Sequence, residues 1–368
     1  MTDDSEGKSA PAVSRRAMLL GPLAALLIPP VFGGIPFARA AAAATPAARN
    51  IPAKLLPVPD TISPELQAVV GAPYPTGWDD VPTTAEGWKQ LQAASGEGAD
   101  AVLDEIKTRL GVTVTEDTIG GVHVYVATPD AMPEENANRL LVHVHGGGYV
   151  LYPGEVGAGE AMMMAGYGKF TCVSVDYRMP PDHPFPAALD DAMAVWKALL
   201  ADNPPDRMGI FGTSAGGGLT MAMVIRAQQE GLALPAAIAP GSPWTDLTGD
   251  GDSEKVNEYV DNAIVSNTGW VGAAAGLYAN GHDLRDPLIS PLFGDLTGFP
   301  PAILTSGTRD LLLSDTVRTH RALRKAGVPA LLQVFEAQSH AQFLTPFVPE
   351  TEEAFGEIAG FFAAHLAT

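Results

Sequence analysis

The chain has few cysteines and few basic residues for its length. Cys172 is the single cysteine among 368 residues, which excludes an intramolecular disulfide and any cysteine-rich metal site. Lys and Arg number 22 against 42 Asp and Glu, and the formal charge of −20 argues against nucleic acid or an anionic membrane surface as a partner. Hydrophobic residues make up 46% of the chain, which is enough for a folded core.

The first forty residues lack an uninterrupted apolar run. Residues 18–37 are apolar, but prolines and glycines break the segment and make it a poor membrane-spanning helix. Ser-Arg-Arg at 14–16 is a twin-arginine pattern, and Ala-Arg-Ala at 38–40 has small residues where a signal peptidase reads. We expect residues 1–40 to be a twin-arginine signal, cleaved after Ala40, with an uncleaved anchor as the alternative. The mature protein would then be periplasmic or secreted, without an integral membrane domain.

The part of the chain before residue 111 predicts a linker and helices. Residues 41–62 are rich in Ala and Pro and indicate a linker, and helical patterns follow at 63–70 and 84–110, the second divided near Gly96 and Gly98. Residues 244–286 carry aromatic residues and interrupt the rhythm of the later chain. We expect residues 41–110 and 244–286 to contribute a helical cap.

Residues 111–368 predict a single catalytic α/β domain. Two alternating segments come first, and six short apolar runs then alternate with helical patterns. This order predicts a mostly parallel eight-stranded sheet with helices on both faces. The predicted strands are 112–115, 122–127, 140–145, 170–175, 208–211, 236–239, 302–305 and 331–335. The predicted helices are 159–167, 187–200, 215–229, 316–326 and 350–366.

A Gly-x-Ser-x-Gly pentapeptide at 212–216 lies between a predicted strand and a predicted helix. In that context the serine occupies a strained turn that exposes its hydroxyl, and Ser214 is therefore the predicted nucleophile. Gly212 and Gly216 avoid side-chain collisions with the neighbouring strand and helix. The helix N-terminus behind Ser214 supplies partial positive charge where an oxyanion would form. An ordinary β–α turn is the alternative.

The sequence His-Gly-Gly-Gly-Tyr at 145–149 follows the third predicted strand. Consecutive glycines let backbone N–H groups line a cavity with no Cβ in the way. His145 and Gly146 support this motif, with His145 expected to brace the loop. A flexible glycine-rich linker is the alternative, and the strand that runs directly into the motif argues against it. The predicted oxyanion hole consists of the N–H groups of Gly147, Gly148 and Ala215.

A base and an acid are needed to activate Ser214. His340 follows the last predicted strand, where a hydrolase base belongs, whereas the other histidines lie within predicted elements or precede the acid. Asp310 follows the seventh predicted strand directly and is the preferred acid over Asp315. Ser314 or Asp315 is expected to cap a helix that begins near residue 316.

Three motifs together resemble the bacterial hormone-sensitive-lipase-like esterases, family IV of the lipolytic enzymes. They are residues 145–149, residues 212–216 and Asp-Tyr-Arg-Met-Pro-Pro-Asp-His-Pro-Phe-Pro-Ala-Ala at 176–188. Thr213 stands where the family often has Asp and indicates the Gly-Thr-Ser-Ala-Gly subgroup, and the common Asp-Pro-Leu around the acid is replaced by Asp-Leu-Leu at 310–312. The resemblance covers about residues 110–368 and implies an α/β-hydrolase fold with a helical cap and no cofactor or metal.

The predicted function is hydrolysis of carboxylic esters through an acyl-enzyme on Ser214, with a small-molecule ester as substrate. The resemblance implies a preference for short- to medium-chain esters. Lactonases, amidases and acyltransferases share such a triad and stay open as alternatives. A non-catalytic ligand-binding protein of the same fold is a further alternative, because a fold does not fix a function. A homodimer is compatible with the sequence, which leaves the oligomeric state undecided.

Overall fold

The computed structural model describes residues 48–368. The predicted twin-arginine signal and the start of the linker lie outside these residues. Residues 48–59, which fall in the predicted linker, have no regular secondary structure. Residues 55–368 form one unit, so the proposed division into linker, cap and catalytic parts stays a prediction.

Three helices precede the sheet, and side chains or glycines mark their ends. The Ser63 Oγ accepts the N–H of Leu66 at the start of the first helix, and the Thr84 Oγ1 accepts the N–H of Gly87 at the start of the second. Gly98, with φ of 77°, separates the second helix from the third and confirms the predicted division. These helices are α1 (Pro64–Val70), α2 (Ala85–Ala94) and α3 (Ala99–Leu110).

Eight strands form one sheet in the order β1-β2-β4-β3-β5-β6-β7-β8. Strand β2 runs antiparallel to β1 and β4, and the pairs from β4 to β8 are parallel. The structure therefore confirms the predicted mostly parallel eight-stranded sheet. The strands are β1 (Val112–Ile119), β2 (Val122–Pro129), β3 (Leu140–Val144), β4 (Thr171–Val175), β5 (Met208–Thr213), β6 (Ala237–Gly241), β7 (Ala302–Gly307) and β8 (Ala330–Phe335).

Helices cover both faces because alternate strand residues point to opposite sides. Val142 and Val144 of β3 pack in a cluster with residues of α5 and α6, whereas Leu141 packs with residues of α4 and α10. Within residues 48–368, no helix combines the length and the apolar character needed to cross a bilayer. The remaining helices are α4 (Gly159–Met163), α5 (Ala187–Asp202), α6 (Ala215–Glu230), α7 (Ser253–Val256), α8 (Trp270–Ala279), α9 (Leu313–Lys325) and α10 (Pro349–His365).

Helix α9 begins earlier than the start predicted near residue 316. Ser314 and Asp315 lie inside its first turn, and neither side chain caps the helix, so the capping prediction was wrong. The Oδ1 of Asp310 instead accepts the N–H of Leu312 at 2.8 Å. That contact lets the backbone turn into α9 directly after the predicted acid.

Asp315 belongs instead to a buried acidic cluster beside α9, formed with Asp246 and Glu254. The Arg318 guanidinium lies 2.7 Å from the Asp246 carboxylate and 3.9 Å from that of Asp315. Burial, followed by the charge of Asp246, raises the pKa of Glu254 to about 7. Burial, followed by the charge of Glu254, raises the pKa of Asp315 well above its ordinary value. The folded protein therefore holds protons here that an unfolded chain would release.

Replacing Glu254 with glutamine is expected to stabilise the protein at alkaline pH. The pKa of Glu254 is higher in the folded protein than in the unfolded chain. Its contribution to the free energy of unfolding is therefore fully present below pH 4.5 and is lost as the pH rises through 7, by up to about 3 kcal/mol. Thermal melts at about pH 5 and pH 9 should show a higher melting temperature for Glu254→Gln at pH 9 only. Asp252→Asn, an exposed change of equal charge, is the control. Equal melting temperatures of the wild type and Glu254→Gln at pH 9 would contradict the assignment.

Candidate active site

Ser214 lies on a sharp turn between β5 and α6, with φ of 62° and ψ of −123°. This conformation is unfavourable for a residue with a Cβ, and it confirms the strained turn predicted for the pentapeptide. A Cβ at Gly212 or Gly216 would collide with the carbonyl oxygen of Val144 in the adjacent strand. The N–H of Ser214 donates to the carbonyl of Gly241 at 2.8 Å. The turn is therefore held by β3 and β6, the strands on either side of β5.

Ser214, His340 and Asp310 form one continuous hydrogen-bonded chain. The Nε2 of His340 lies 2.8 Å from the Ser214 Oγ, and its Nδ1 lies 3.0 Å from the Asp310 Oδ1. Asp310 and His340 are buried, and the Asp310 Oδ2 accepts the hydroxyl of Ser306 at 2.7 Å. The structure thus brings together the residues predicted as nucleophile, base and acid, whereas Asp315 points into the acidic cluster beside α9.

Opposing effects set the charge states of the acid and the base. Burial alone would raise the pKa of Asp310, but the charge and hydrogen bond of His340 and the hydroxyl of Ser306 bring it below its ordinary value. Burial lowers the pKa of His340, but the charge and hydrogen bond of Asp310 and the charge of Asp261 bring it above 6.5. The site therefore favours an ionised acid beside an imidazole that binds a proton readily.

The glycine loop after β3 passes beside the nucleophile. A Cβ built on Gly146 would lie 3.3 Å from the Cβ of Ser214. Gly147 has φ of 98°, and a Cβ there would lie 2.8 Å from the Leu151 carbonyl oxygen, so both conformation and space require glycine. In the part of the chain that the structure describes, the N–H groups of three predicted donors have no hydrogen-bond acceptor. These donors are Gly147, Gly148 and Ala215.

His145 is buried and contacts the glycine loop rather than Ser214. Its ring stacks on Tyr177 at 4.1 Å between centroids, and its Nδ1 lies 2.8 Å from the Gly146 carbonyl oxygen. Burial lowers the pKa of His145 to about 4, so the ring is neutral and its Nδ1–H donates to that carbonyl. The Tyr177 hydroxyl donates to the His145 carbonyl at 2.7 Å. His145 and Tyr177 therefore fix the conformation of the glycine loop, and Tyr177 gives the 176–188 motif a structural role.

A cavity of about 540 Å³ opens above Ser214 and His340. Its walls are mostly apolar and come from α3 on one side and from α8 and neighbouring residues on the other. The described residues that line it include no Lys or Arg, and Glu160 is their single carboxylate. Glu160 accepts the hydroxyl of Thr213 at 2.7 Å and contacts the His143 Nε2 at 3.1 Å. The cavity suits a neutral, largely apolar ligand.

Residues 141–344 match the family described as alpha/beta hydrolase fold, and they include the glycine loop, Ser214, Asp310 and His340. This match spans more than half of the chain. The chain belongs to the α/β-hydrolase family.

Relatives of this α/β-hydrolase are esterases and acetyl-hydrolases. An acetyl-hydrolase from Streptomyces hygroscopicus is 34% identical over 232 residues, or 62% of this chain and 77% of that protein. The crystal structure of esterase E25 is 41% identical, with a TM-score of 0.84 over 87% of this chain and 99% of the other. An esterase of the bacterial hormone-sensitive lipase family is 28% identical, with a TM-score of 0.68 over 83% and 99% of the two chains.

These similarities confirm that the α/β-hydrolase is a bacterial hormone-sensitive-lipase-like enzyme and a carboxylic ester hydrolase. Membership of the Gly-Thr-Ser-Ala-Gly subgroup stays a prediction.

Two polar residues behind the triad of the hydrolase were not predicted from the sequence. Asp261 accepts the backbone N–H of His340 at 2.9 Å, and Asn262 contacts the hydroxyl of Ser339. Both residues lie in the segment between α7 and α8, far from the catalytic motifs in sequence. Their partners are mainly backbone groups, which carry no sequence signature.

Proposed function

We propose that this hydrolase cleaves short- to medium-chain carboxylic esters through an acyl-enzyme on Ser214. One observation carries the proposal: the Ser214 Oγ, both ring nitrogens of His340 and the Asp310 carboxylate are linked at 2.8 and 3.0 Å. This linkage lies at the base of an apolar cavity that can hold an ester.

In the first step the Ser214 Oγ attacks the ester carbonyl carbon while the His340 Nε2 takes the hydroxyl proton. The base must be neutral at Nε2, and the Asp310 Oδ1 favours that tautomer by accepting the Nδ1–H. The negative charge of Asp310 then stabilises the imidazolium as it forms. The acid acts through charge and orientation and keeps its own carboxylate ionised.

The negative charge that develops on the carbonyl oxygen would be stabilised by backbone N–H groups. Gly147, Gly148 and Ala215 can supply these donors, each contributing about 3 kcal/mol in the transition state. The N-terminal end of α6 adds partial positive charge at the same place. Because these groups are fixed before substrate binds, they need little reorganisation during the reaction.

Collapse of the intermediate breaks the bond to the alcohol, and His340 gives its proton to the leaving oxygen. Water then attacks the acyl carbonyl, His340 accepts a proton from that water, and the serine oxygen is released with its proton restored. The products are a carboxylic acid and an alcohol.

The cavity supports a preference for neutral esters of limited chain length. Trp270 narrows the cavity beside the glycine loop, because a Cβ at Gly148 would lie 3.0 Å from its ring. The carboxylate of Glu160 and the absence of Lys and Arg among the described lining residues disfavour an anionic substrate. We expect a higher kcat/KM for p-nitrophenyl butyrate than for the palmitate ester or for an ester that carries a free carboxylate.

Covalent labelling combined with hydrolysis tests the proposed mechanism. A p-nitrophenyl phosphonate should release p-nitrophenol, form one phosphorus–oxygen bond to the Ser214 Oγ and abolish hydrolysis of p-nitrophenyl butyrate. Peptide mass spectrometry locates the label, and Ser214→Ala should stay unlabelled. Full hydrolysis by the labelled protein, or a label on another residue, would contradict the proposal.

A further inference from the structure

A second buried carboxylate lies behind His340 and has no part in the proposed proton transfers. Asp261 is fully buried in the segment between α7 and α8. Its Oδ1 accepts the N–H groups of Ala263 and Ile264 at 2.7 and 3.0 Å. Its Oδ2 accepts the N–H groups of Leu311 and His340 at 2.8 and 2.9 Å. Burial and the charge of Asp310 raise the pKa of Asp261 above its ordinary value, and the backbone donors oppose that rise by stabilising the ionised form.

These contacts connect the two loops that carry the acid and the base. Leu311 directly follows Asp310 and lies 50 residues from Asp261, and His340 lies 79 residues from Asp261. Hydrogen bonds to a charged acceptor are stronger than those between neutral groups. A single side chain therefore fixes the backbone next to Asp310 and the backbone of His340 relative to each other.

Asn262 ties the same histidine loop to α1. Its N–H donates to the Ser339 Oγ at 3.0 Å, and its Oδ1 accepts the Ser339 hydroxyl and the Gln342 amide, both at 2.8 Å. Its Nδ2 donates to the carbonyls of Val69 and Ala72 at 2.9 and 3.0 Å. Residues on both sides of His340 are thereby anchored.

The charge of Asp261 also acts on the imidazole. In the described part of the chain, Asp310 and Asp261 are the charged groups that raise the pKa of His340, and Ser214 is its neutral hydrogen-bond partner. Asp310 acts through Nδ1 and through its charge, whereas Asp261 acts on the ring through charge alone. Removing the charge of Asp261 should therefore lower the pKa of His340.

We propose that Asp261, assisted by Asn262, is a positioning residue that holds the acid and base loops in the register needed for proton transfer. This role rests on the proposed acyl-enzyme mechanism. Asp261 would contact neither the substrate nor the reacting atoms, and its effect would pass through His340 and the residue after Asp310.

Asp261→Asn tests the proposal because asparagine has the same size but a single acceptor oxygen. Two of the four N–H groups would then face an NH₂ group, and the loops would shift. We expect kcat for p-nitrophenyl acetate to fall about 100-fold, with KM changed less than about threefold. The acid limb of kcat/KM should lie above pH 6.5 in the wild type and move to lower pH in the variant, because His340 must be neutral to act as base. All rates are divided by the concentration of sites that the phosphonate can label, so that misfolded protein does not lower the measured kcat.

Asp315→Asn is the matched control. Asp315 is fully buried and its Oδ2 accepts two backbone N–H groups, from Thr245 and Asp246, but it has no hydrogen bond to Asp310, Asp261 or His340. We expect its kcat and its acid limb to match the wild type.

Asn262→Ala is the second test variant: it removes contacts to the histidine loop without removing charge. Its kcat should fall about tenfold while the acid limb stays in place.

The outcomes separate three cases. An unchanged kcat per labelled site and an unchanged acid limb in Asp261→Asn would overturn the positioning role, even if the melting temperature falls. If Asp261→Asn does not fold, Asn262→Ala decides, and an unchanged kcat in that variant overturns the proposal. A wild-type protein that neither hydrolyses p-nitrophenyl butyrate nor is labelled at Ser214 would instead reject the proposed function itself.

Discussion

Replacing Ser214 with alanine is expected to lower kcat for p-nitrophenyl butyrate by about 10⁵- to 10⁶-fold. The substitution removes the oxygen that would bond to the acyl carbon and leaves His340 with no hydroxyl proton to accept. The oxyanion donors and the cavity remain, so a small residual rate above that of water is expected. Steady-state kinetics with the purified variant measure the loss.

Ser290→Ala is a suitable control for this substitution. Ser290 is fully buried, and its hydroxyl accepts the N–H of Leu247 at 2.8 Å without touching the triad. Its kcat should stay close to that of the wild type. If Ser214→Ala keeps more than about a tenth of the wild-type turnover while its melting curve is normal, Ser214 is not the nucleophile.

Asp310→Asn is expected to lower kcat by about 10⁴-fold, whereas Asp315→Asn should change it by less than about threefold. An amide at 310 carries no charge to stabilise the imidazolium, and its NH₂ group can face Nδ1 and favour the wrong tautomer. An amide at 315 changes little, because the pKa of the Asp315 carboxyl is already raised well above its ordinary value. The two variants are compared by kcat on the same ester.

The reverse result, with the large loss in Asp315→Asn, would move the acid assignment to the first turn of α9. Melting temperatures of both variants check that folding is intact. Ser306 offers a further comparison, because its hydroxyl donates to Asp310 and its loss should have a much smaller effect than loss of the carboxylate.

Most of the sheet could be predicted because strands β3 to β7 are buried on both faces. Such strands appear in the sequence as short apolar runs between helical patterns. All six predicted runs correspond to observed strands, and the two alternating segments correspond to β1 and β2. Strand β1 is longer than its sequence pattern predicted. It extends to Ile119 rather than residue 115, because its second half is polar and exposed and is defined by backbone pairing with β2. Polarity alone cannot reveal such pairing.

The residues of the candidate site also differ in whether the sequence could predict them. Ser214 and the glycine loop were predicted from local motifs, in which the backbone geometry itself requires glycine. His340 and Asp310 followed from their places after β8 and β7. Asp261 could not be predicted, because it binds N–H groups that every residue except proline possesses. The start of α9 was misplaced because Asp310 also bonds the backbone ahead of that helix.

The segment between α7 and α8 cannot be exchanged freely in protein engineering. Ala263 and Ile264 line the cavity, yet their N–H groups bind the same carboxylate that holds His340. A chimaera that imports this segment from another hydrolase to alter substrate choice would also change the position of His340 relative to Asp310. A design that keeps residues 257–266 of this chain and exchanges other cavity residues would change substrate selectivity while turnover is preserved.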